Sequence, residues 1–378
     1  MLKNKIYRYF TAEILKSFLT ILFAFTTIAW TVRAVNFLDL IVEDGHSVIT
    51  YLSFSLFNIT NIITKFIPLA FLLSLILSLI KFERQNELII LWTTGLNKIK
   101  LVNLLLYVSV IVLVIQLLFA TFVTPSALNK SRTIIKTSGL ESISSVVKTN
   151  DFSDSLKGVT FYVDKIEDNM MKNIFIRDEN QVFKSIISEQ KNSNNTTIVA
   201  QSGFFKDSKL IMFNGLIQTQ KLDGEINNIN FEKTTLLLDQ LSSRSIILPK
   251  LQETSTLILI NCVFRKDNFE VLLNCPKNVK KDVVETISRR LGMPFYIPLI
   301  TLISSFLLVA NRKNKKKSSK PYLYFLISFL ILIWAEIFVR YSGFSIFSFI
   351  TYFITPIVLL PITYLIILKS MRSEKIKK

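Results

Sequence analysis

Four ionisable residues stand inside or beside stretches that otherwise carry no charge. Arg33 closes the first long apolar run, Lys65 interrupts the second, and Glu336 and Arg340 follow the fifth. On a helix rising 1.5 Å per residue, Arg33 lies about 25 Å from Lys16, Lys65 about 24 Å from Lys81, and Glu336 about 24 Å from Lys320. All three distances start from basic flanks, so the residues reach one depth. Arg340 comes one helical turn after Glu336, where an i,i+4 ion pair would hold it. Each charge alone fits a side chain snorkelling to the far interface. Together, Arg33, Lys65 and Arg340 form a cationic layer, and charges at such depth by default mark a pathway. A layer of this kind suits an anionic amphiphile, with phosphates at the cations and acyl chains below. The chemistry expected is recognition, with Arg33, Lys65 and Arg340 on phosphate and Glu336 steadying Arg340.

Groups that would carry out a reaction are scarce. His46 is the single histidine, so a mixed His, Cys and carboxylate metal centre is hard to build. No G-x-x-x-x-G-K-[ST] phosphate loop, Ser nucleophile elbow or H-E-x-x-H helix appears. A catalytic site would have to be made from Asp, Glu, Lys and Arg alone. We expect no enzyme, no metal and no cofactor, and any source of energy must reside on another subunit.

A second constellation lies in KFERQNELIILWTTGLNKIK (81–100), too charged to cross a bilayer and too apolar for a plain loop. Wound as a helix, 81–100 puts Leu88, Leu91, Trp92, Leu96 and Ile99 on one face and Glu83, Glu87 and Thr94 on the other, with the partner-facing helix itself expected over 83–97. The apolar stripe seats such a helix on the membrane or its spans. Glu87 then faces away, placed to pair with a basic residue of a partner. The other reading of the pattern is a helix that rests on the membrane and meets nothing.

These residues must be held by elements that the composition identifies. Half of the 378 residues are hydrophobic and the mean hydropathy is +0.44. Uncharged runs at 17–32, 66–80, 101–129, 291–311, 321–335 and 341–368 predict six spanning helices, the second passing through Lys65. Arg33 stands where a secretory signal would offer a cleavage site, so a retained first helix is expected. The formal charge of +18 would suggest nucleic acid in a soluble chain. Here the basic residues gather in the N-terminal lead, 81–100, 311–320 and 369–378, all on one side if the six helices alternate. Loop 36–47 is acidic and 342–349 uncharged. Basic loops stay in the cytoplasm, which puts both termini inside, and no nucleic-acid partner is expected.

Between 125 and 282 the chain turns polar. Runs rich in β-branched and aromatic residues at 158–166, 172–178, 196–205, 209–220 and 226–238 are separated by Asp, Asn, Gly or Lys clusters. They predict an antiparallel sandwich or jelly roll outside the cytoplasm. Cys262 and Cys275 fall near the end of this insertion, where they either pair and close a short loop or stay separate thiols. Three regions result: a helical bundle over 1–124, a β domain with its linkers over 125–282, and a second bundle over 283–378.

At this point a resemblance enters. E-R-Q-N-E-L-I-I-L-W-T-T-G-L (83–96) resembles the coupling helix of the lipopolysaccharide export permeases, the LptF/LptG family, with Asn86, Glu87, Leu88 to Trp92 and Gly95 on its pattern. R-Y-F-T-A-E-I-L-K-S-F (8–18) is similar to that family's entry into the first span. S-R-R-L-G-M-P-F-Y-I-P-L (288–299) is similar to the entry into the fourth, closer to the F-type than the G-type. The resemblance implies an α-helical membrane protein with six transmembrane helices and a periplasmic all-β jelly-roll-like domain between helices 3 and 4. It implies a homologous second permease subunit, a cytoplasmic ATPase dimer, and a periplasmic bridge of β-jelly-roll proteins that receives lipopolysaccharide from the inner membrane of a Gram-negative bacterium. Glu83, Glu87, Leu88, Leu91, Trp92 and Gly95 become the ATPase-coupling surface. Arg33 corresponds to a basic residue of the family's substrate cavity, whereas Lys65, Glu336 and Arg340 rest on their depth alone. The basic 311–320 connection departs from the family's short one. Competing readings are a permease of another ABC exporter, moving lipoprotein or peptide, and a membrane scaffold whose β domain binds partners.

Overall fold

The computed structural model describes residues 5–42, 46–146, 149–156, 159–167, 170–178, 193–206, 209–221, 226–237, 250–264, 280–309 and 320–376. The chain divides into two units, one of Met1–Val32, Asn58–Asn129 and Lys250–Lys378, the other of Arg33–Phe57 and Lys130–Pro249. Among the described residues, six helical segments are long and apolar enough to cross a membrane: Lys5–Val42, Val48–Arg84, Lys98–Ile135, Lys280–Val309, Pro321–Tyr341 and Ile346–Arg372. The protein is thus a multi-pass membrane protein, and the second segment runs unbroken through Lys65.

The first is built on α1 (Lys5–Asn36), followed by the single turn α2 (Asp39–Val42), and the second is α3 (Val48–Arg84). After the short α4 (Glu87–Thr93), the third begins as α5 (Lys98–Leu118) and passes through a π-helical turn, Phe119–Val123, into α6 (Thr124–Val146). Beyond the β domain come α7 (Thr256–Phe264) and α8 (Lys280–Gly292), which runs through a 3₁₀ turn at Met293–Phe295 into α9 (Tyr296–Ser305). The last two are α10 (Lys320–Tyr341) and α11 (Ile346–Ile376).

In the helical unit the hub is α9, whose ten residues are all buried. The most apolar stretch of its segment is 72% buried, against 11% for that of α1, which makes α1 an outer helix. Tyr296 donates to the backbone oxygen of Tyr352 at 3.1 Å, fixing α9 to α11. Gly292 allows this approach, because a Cβ there would lie 2.3 Å from the Tyr352 ring. Phe10, Ile14, Phe71, Leu75, Phe82, Leu104, Leu105 and Ile297 share one core with Leu88 and Leu91, so the segment after α3 is packed on the bundle.

The second unit carries β1 (Phe152–Leu156), β2 (Val159–Glu167), β3 (Met170–Asp178), β4 (Ser193–Lys206), β5 (Lys209–Lys221) and β6 (Ile226–Leu237). They form one antiparallel sheet in sequential order. Val159, Phe161, Val163, Ile174, Ile176, Ile198 and Ala200 bury one face, the period-2 pattern that the sequence carries. That alternation slips once. Met171 and Ile174 are both buried on β3, as are Ala200 and Gly203 on β4, three residues apart rather than two. At the same level Asn173 (φ 52°) and Asn214 (φ 48°) adopt the left-handed conformation that asparagine tolerates. The register runs Ile174↔Ala200↔Gly215 on one side of them and Lys172↔Ser202↔Phe213 on the other, so the two asparagines flank β4 and crease the sheet.

Candidate functional site

The segment 81–100 is not one helix. The α3 helix ends at Arg84, with Glu83 in its last turn, and Asn86 at φ 60° breaks the axis. The α4 helix spans only Glu87–Thr93, Gly95 at φ 84° ends the turn after it, and α5 starts at Lys98. The side chain of Asn97 caps α5 by accepting from the Ile99 N–H at 3.2 Å. The expected helix over 83–97 is therefore cut back to the tail of α3 and the short α4, because two left-handed residues interrupt it. The apolar stripe still does what its spacing predicts. Leu88 and Leu91 are buried, and Trp92, Leu96 and Ile99 pack against the same core, although Ile99 does so from α5.

Glu87 begins α4 and is held from α1. The Tyr9 hydroxyl donates to Glu87 Oε1 at 3.0 Å. One turn further along α1, Glu13 pairs with Lys81, and Phe10 packs on Phe82 with ring centroids 4.3 Å apart. A cleft of about 350 Å³ opens here, lined by Lys5, Ile6, Tyr9, Phe10, Glu87, Ile90 and Leu91. Tyr9 and Glu13 were missed as site residues. Their i,i+4 spacing on one helix face is the signal that marks them.

The charged residues at depth divide between the units. Arg33 stands half-buried in the last turn of α1, in the unit of the sheet. Beside it, Tyr51 donates to the Ala34 backbone oxygen at 2.9 Å, and Phe37 meets Phe54 edge-on at 4.9 Å. Lys65 is exposed within α3, and Glu336 and Arg340 lie on α10, all in the helical unit. Glu336 pairs with Arg289 of α8 at 3.0 Å, not with Arg340. Arg289 also reaches Glu285 at 3.2 Å, and a guanidinium that bridges two carboxylates outcompetes a single exposed i,i+4 contact. Arg340 is exposed and lines a cleft of about 600 Å³ with Lys281, Asp282, Glu285, Glu336, Tyr341 and Phe344, while Lys65 does not line it. The Lys281 ammonium lies 3.3 Å from the centroid of the Phe344 ring.

Next to Arg289, Arg290 does something different. It is buried and donates to the backbone oxygens of Thr254 (2.9 Å), Leu251 (3.0 Å) and Gln252 (3.0 Å), and to Thr256 Oγ1 at 2.9 Å. Thr256 in turn donates to the Thr121 oxygen at 2.9 Å, inside the π-helical turn. Such a turn carries one residue too many for regular helical bonding and leaves a carbonyl available. Just after it, Thr124 shares a hydrogen bond with Thr64 of α3 at 2.7 Å, beside Lys65. Arg290 is thus one end of a polar chain through the third segment toward the second. The S-R-R-L-G stretch shows the pair of arginines, but their different partners are remote in sequence.

Among the described residues, no group of three or more His, Cys, Asp or Glu is arranged to hold a metal ion. Cys262 is buried on α7, whereas Cys275 lies outside the described residues, as does the basic connection up to Ser319.

Comparison with known proteins adds two similarities. The family described as "Lipopolysaccharide export system permease LptF/LptG" matches residues 8–369. The chain is also similar to an uncharacterized protein, RP871, of Rickettsia prowazekii (strain Madrid E), with 25% identity over 245 residues, 62% of this chain and 64% of that protein. It therefore spans just under two thirds of that relative's length.

Proposed function

Because the chain belongs to the LptF/LptG family of lipopolysaccharide export system permeases, we propose that it is the permease subunit of an ABC transporter that extracts lipopolysaccharide from the outer leaflet of a Gram-negative inner membrane. The family match over nearly the whole chain carries this reading. In it, the chain pairs with a homologous second permease, a cytoplasmic ATPase dimer drives the pair, and a periplasmic bridge of β-jelly-roll proteins takes the lipid away. Both termini and α4 face the cytoplasm and the sheet faces the periplasm, a reading that the basic connections support.

The site residues take roles within this scheme. Glu87 offers its carboxylate to a cation of the ATPase, while Glu83, Leu88, Leu91, Trp92 and Gly95 shape and seat the contact. Arg33, Lys65 and Arg340 meet the phosphates of the lipid. Glu336 acts through Arg289, as the other half of the ion pair that ties α10 to α8. Cys262 and Cys275 close a loop in the oxidising periplasm, and the S-R-R-L-G entry favours the F-type subunit.

Affinity purification in mild detergent, with identification of bound proteins and lipids, tests the proposal. Recovery of an ATPase, a second permease and a lipid A-type glycolipid is expected. Recovery of lipoprotein or peptide would favour another exporter class. Recovery of no ATPase, together with a Glu87→Lys chain whose cellular function is intact, would favour the scaffold reading.

A further inference from the structure

We infer that Tyr9 is a positioning residue that sets the angle of α4, so that α4 and the start of α1 move as one body. This inference rests on the reading of α4 as the ATPase contact. The α4 helix has seven residues and joins its neighbours through left-handed residues on both sides, Asn86 and Gly95. Asn86 makes no side-chain cap to the helix it precedes. Neither connection continues a helical axis, so a push on α4 is poorly transmitted to α3 or α5 through the backbone.

The start of α1 lies across this break like a splint. Before the break it grips α3, through Glu13 on Lys81 and Phe10 on Phe82. Beyond the break it grips α4, through the Tyr9 hydroxyl on Glu87 Oε1. Leu88, Leu91 and Trp92 seat α4 on the core, and the Lys98 ammonium lies 5.8 Å from the centroid of the Trp92 ring, yet apolar contacts fix the depth of a short helix better than its rotation about its own axis. The polar bond at its first residue removes that freedom. A carboxylate accepts on both oxygens, so Tyr9 can hold Oε1 while a partner's cation takes Oε2. Force entering at Glu87 then passes into α1, the helix that carries Arg33.

The test uses the permease pair assembled with its ATPase in vesicles containing lipopolysaccharide. Tyr9→Phe keeps the ring against Phe10 and removes the hydroxyl alone. ATPase capture should stay within about twofold of the parent, while lipid released per ATP hydrolysed falls about three- to tenfold, the scale of one ordinary net hydrogen bond. A general loss of folding would lower both quantities and leave their ratio unchanged. With ATPase capture retained, an unchanged ratio of lipid to ATP overturns the inference. If Tyr9→Phe does not assemble, Ile6→Cys with Ile90→Cys, two positions lining the same cleft, asks the question from the other side. A cross-link between them should leave transport per ATP intact if α1 and α4 already move together, and a cross-link that stops transport while hydrolysis continues overturns the inference. Glu87→Lys separates the two levels. If it leaves ATPase capture unaffected, the proposed coupling itself falls; if it abolishes capture while Tyr9→Phe changes nothing, only the role of Tyr9 falls.

Discussion

Adjacent arginines in S-R-R-L-G serve two neighbours. Arg289 turns to α10 and bridges Glu285 and Glu336, whereas Arg290 turns inward and satisfies four oxygens of residues 251–256. None of this pairing was legible. Glu336 and Arg340 announce an i,i+4 pair in any helical reading, but the competing guanidinium sits on a helix far away in sequence and cannot be counted from the pattern. Replacing Arg290 with Ala should destabilise the protein by roughly 3 kcal/mol, because several buried oxygens lose a charged donor at once. The measurement is a lowered thermal midpoint in detergent. Arg290→Lys should recover part of the loss at most, since an ammonium has three donors and no planar fork. Arg340, released from Glu336, is free to meet a ligand. Alanine at Arg33, Lys65 or Arg340 should each reduce photo-cross-linking to lipopolysaccharide about tenfold or more, the worth of one charge-assisted contact; unchanged cross-linking in all three would remove the phosphate layer.

At the scale of elements, the second span through Lys65 and the buried stripe of 88–99 were readable, because periodicity survives one charge. The division of 81–100 was not. Asn86 looks like an ordinary polar position within a helix, and its left-handed backbone costs so little for asparagine that composition leaves no trace. The π-helical turn at Phe119–Val123 is equally silent, since its residues are as apolar as those around it. Gly95 offers a clean test of the hinge idea. Nothing lies within 4 Å of where its Cβ would stand, so Gly95→Ala acts through backbone conformation alone. At φ 84° that substitution should cost about 1 kcal/mol and weaken ATPase capture severalfold, measured by binding to the purified permease. Gly95→Asn should bind more like the parent, because asparagine tolerates the left-handed region.

For the whole molecule, the two solvents of the chain explain what was visible. A bilayer demands long uncharged helices, and six of them could be marked from charge alone. The sheet demands alternation, and the five expected runs lie on β2 to β6, while β1, short and polar, escaped notice. Which helix is central was hidden, because the spanning stretch of the outer α1 (17–32) and the hub α9 are equally uncharged. Orientation remains the premise of the mechanism, and a cysteine placed at Trp92 checks it. Reagents confined to the cytoplasmic side should label that cysteine and reagents confined to the periplasmic side should not. The opposite result would place α4 beyond reach of any cytoplasmic motor.

The crease marked by Asn173 and Asn214 bears on how the sheet tolerates change. Each strand that crosses it consists of two half-strands of opposite phase, and one added residue inside either half would turn its oily side chains outward. At the level of the two asparagines that slip has already been absorbed. Lineages of this protein are therefore free to gain or lose single residues along that line, and natural length variation within β3 to β5 should gather there and vanish a step to either side.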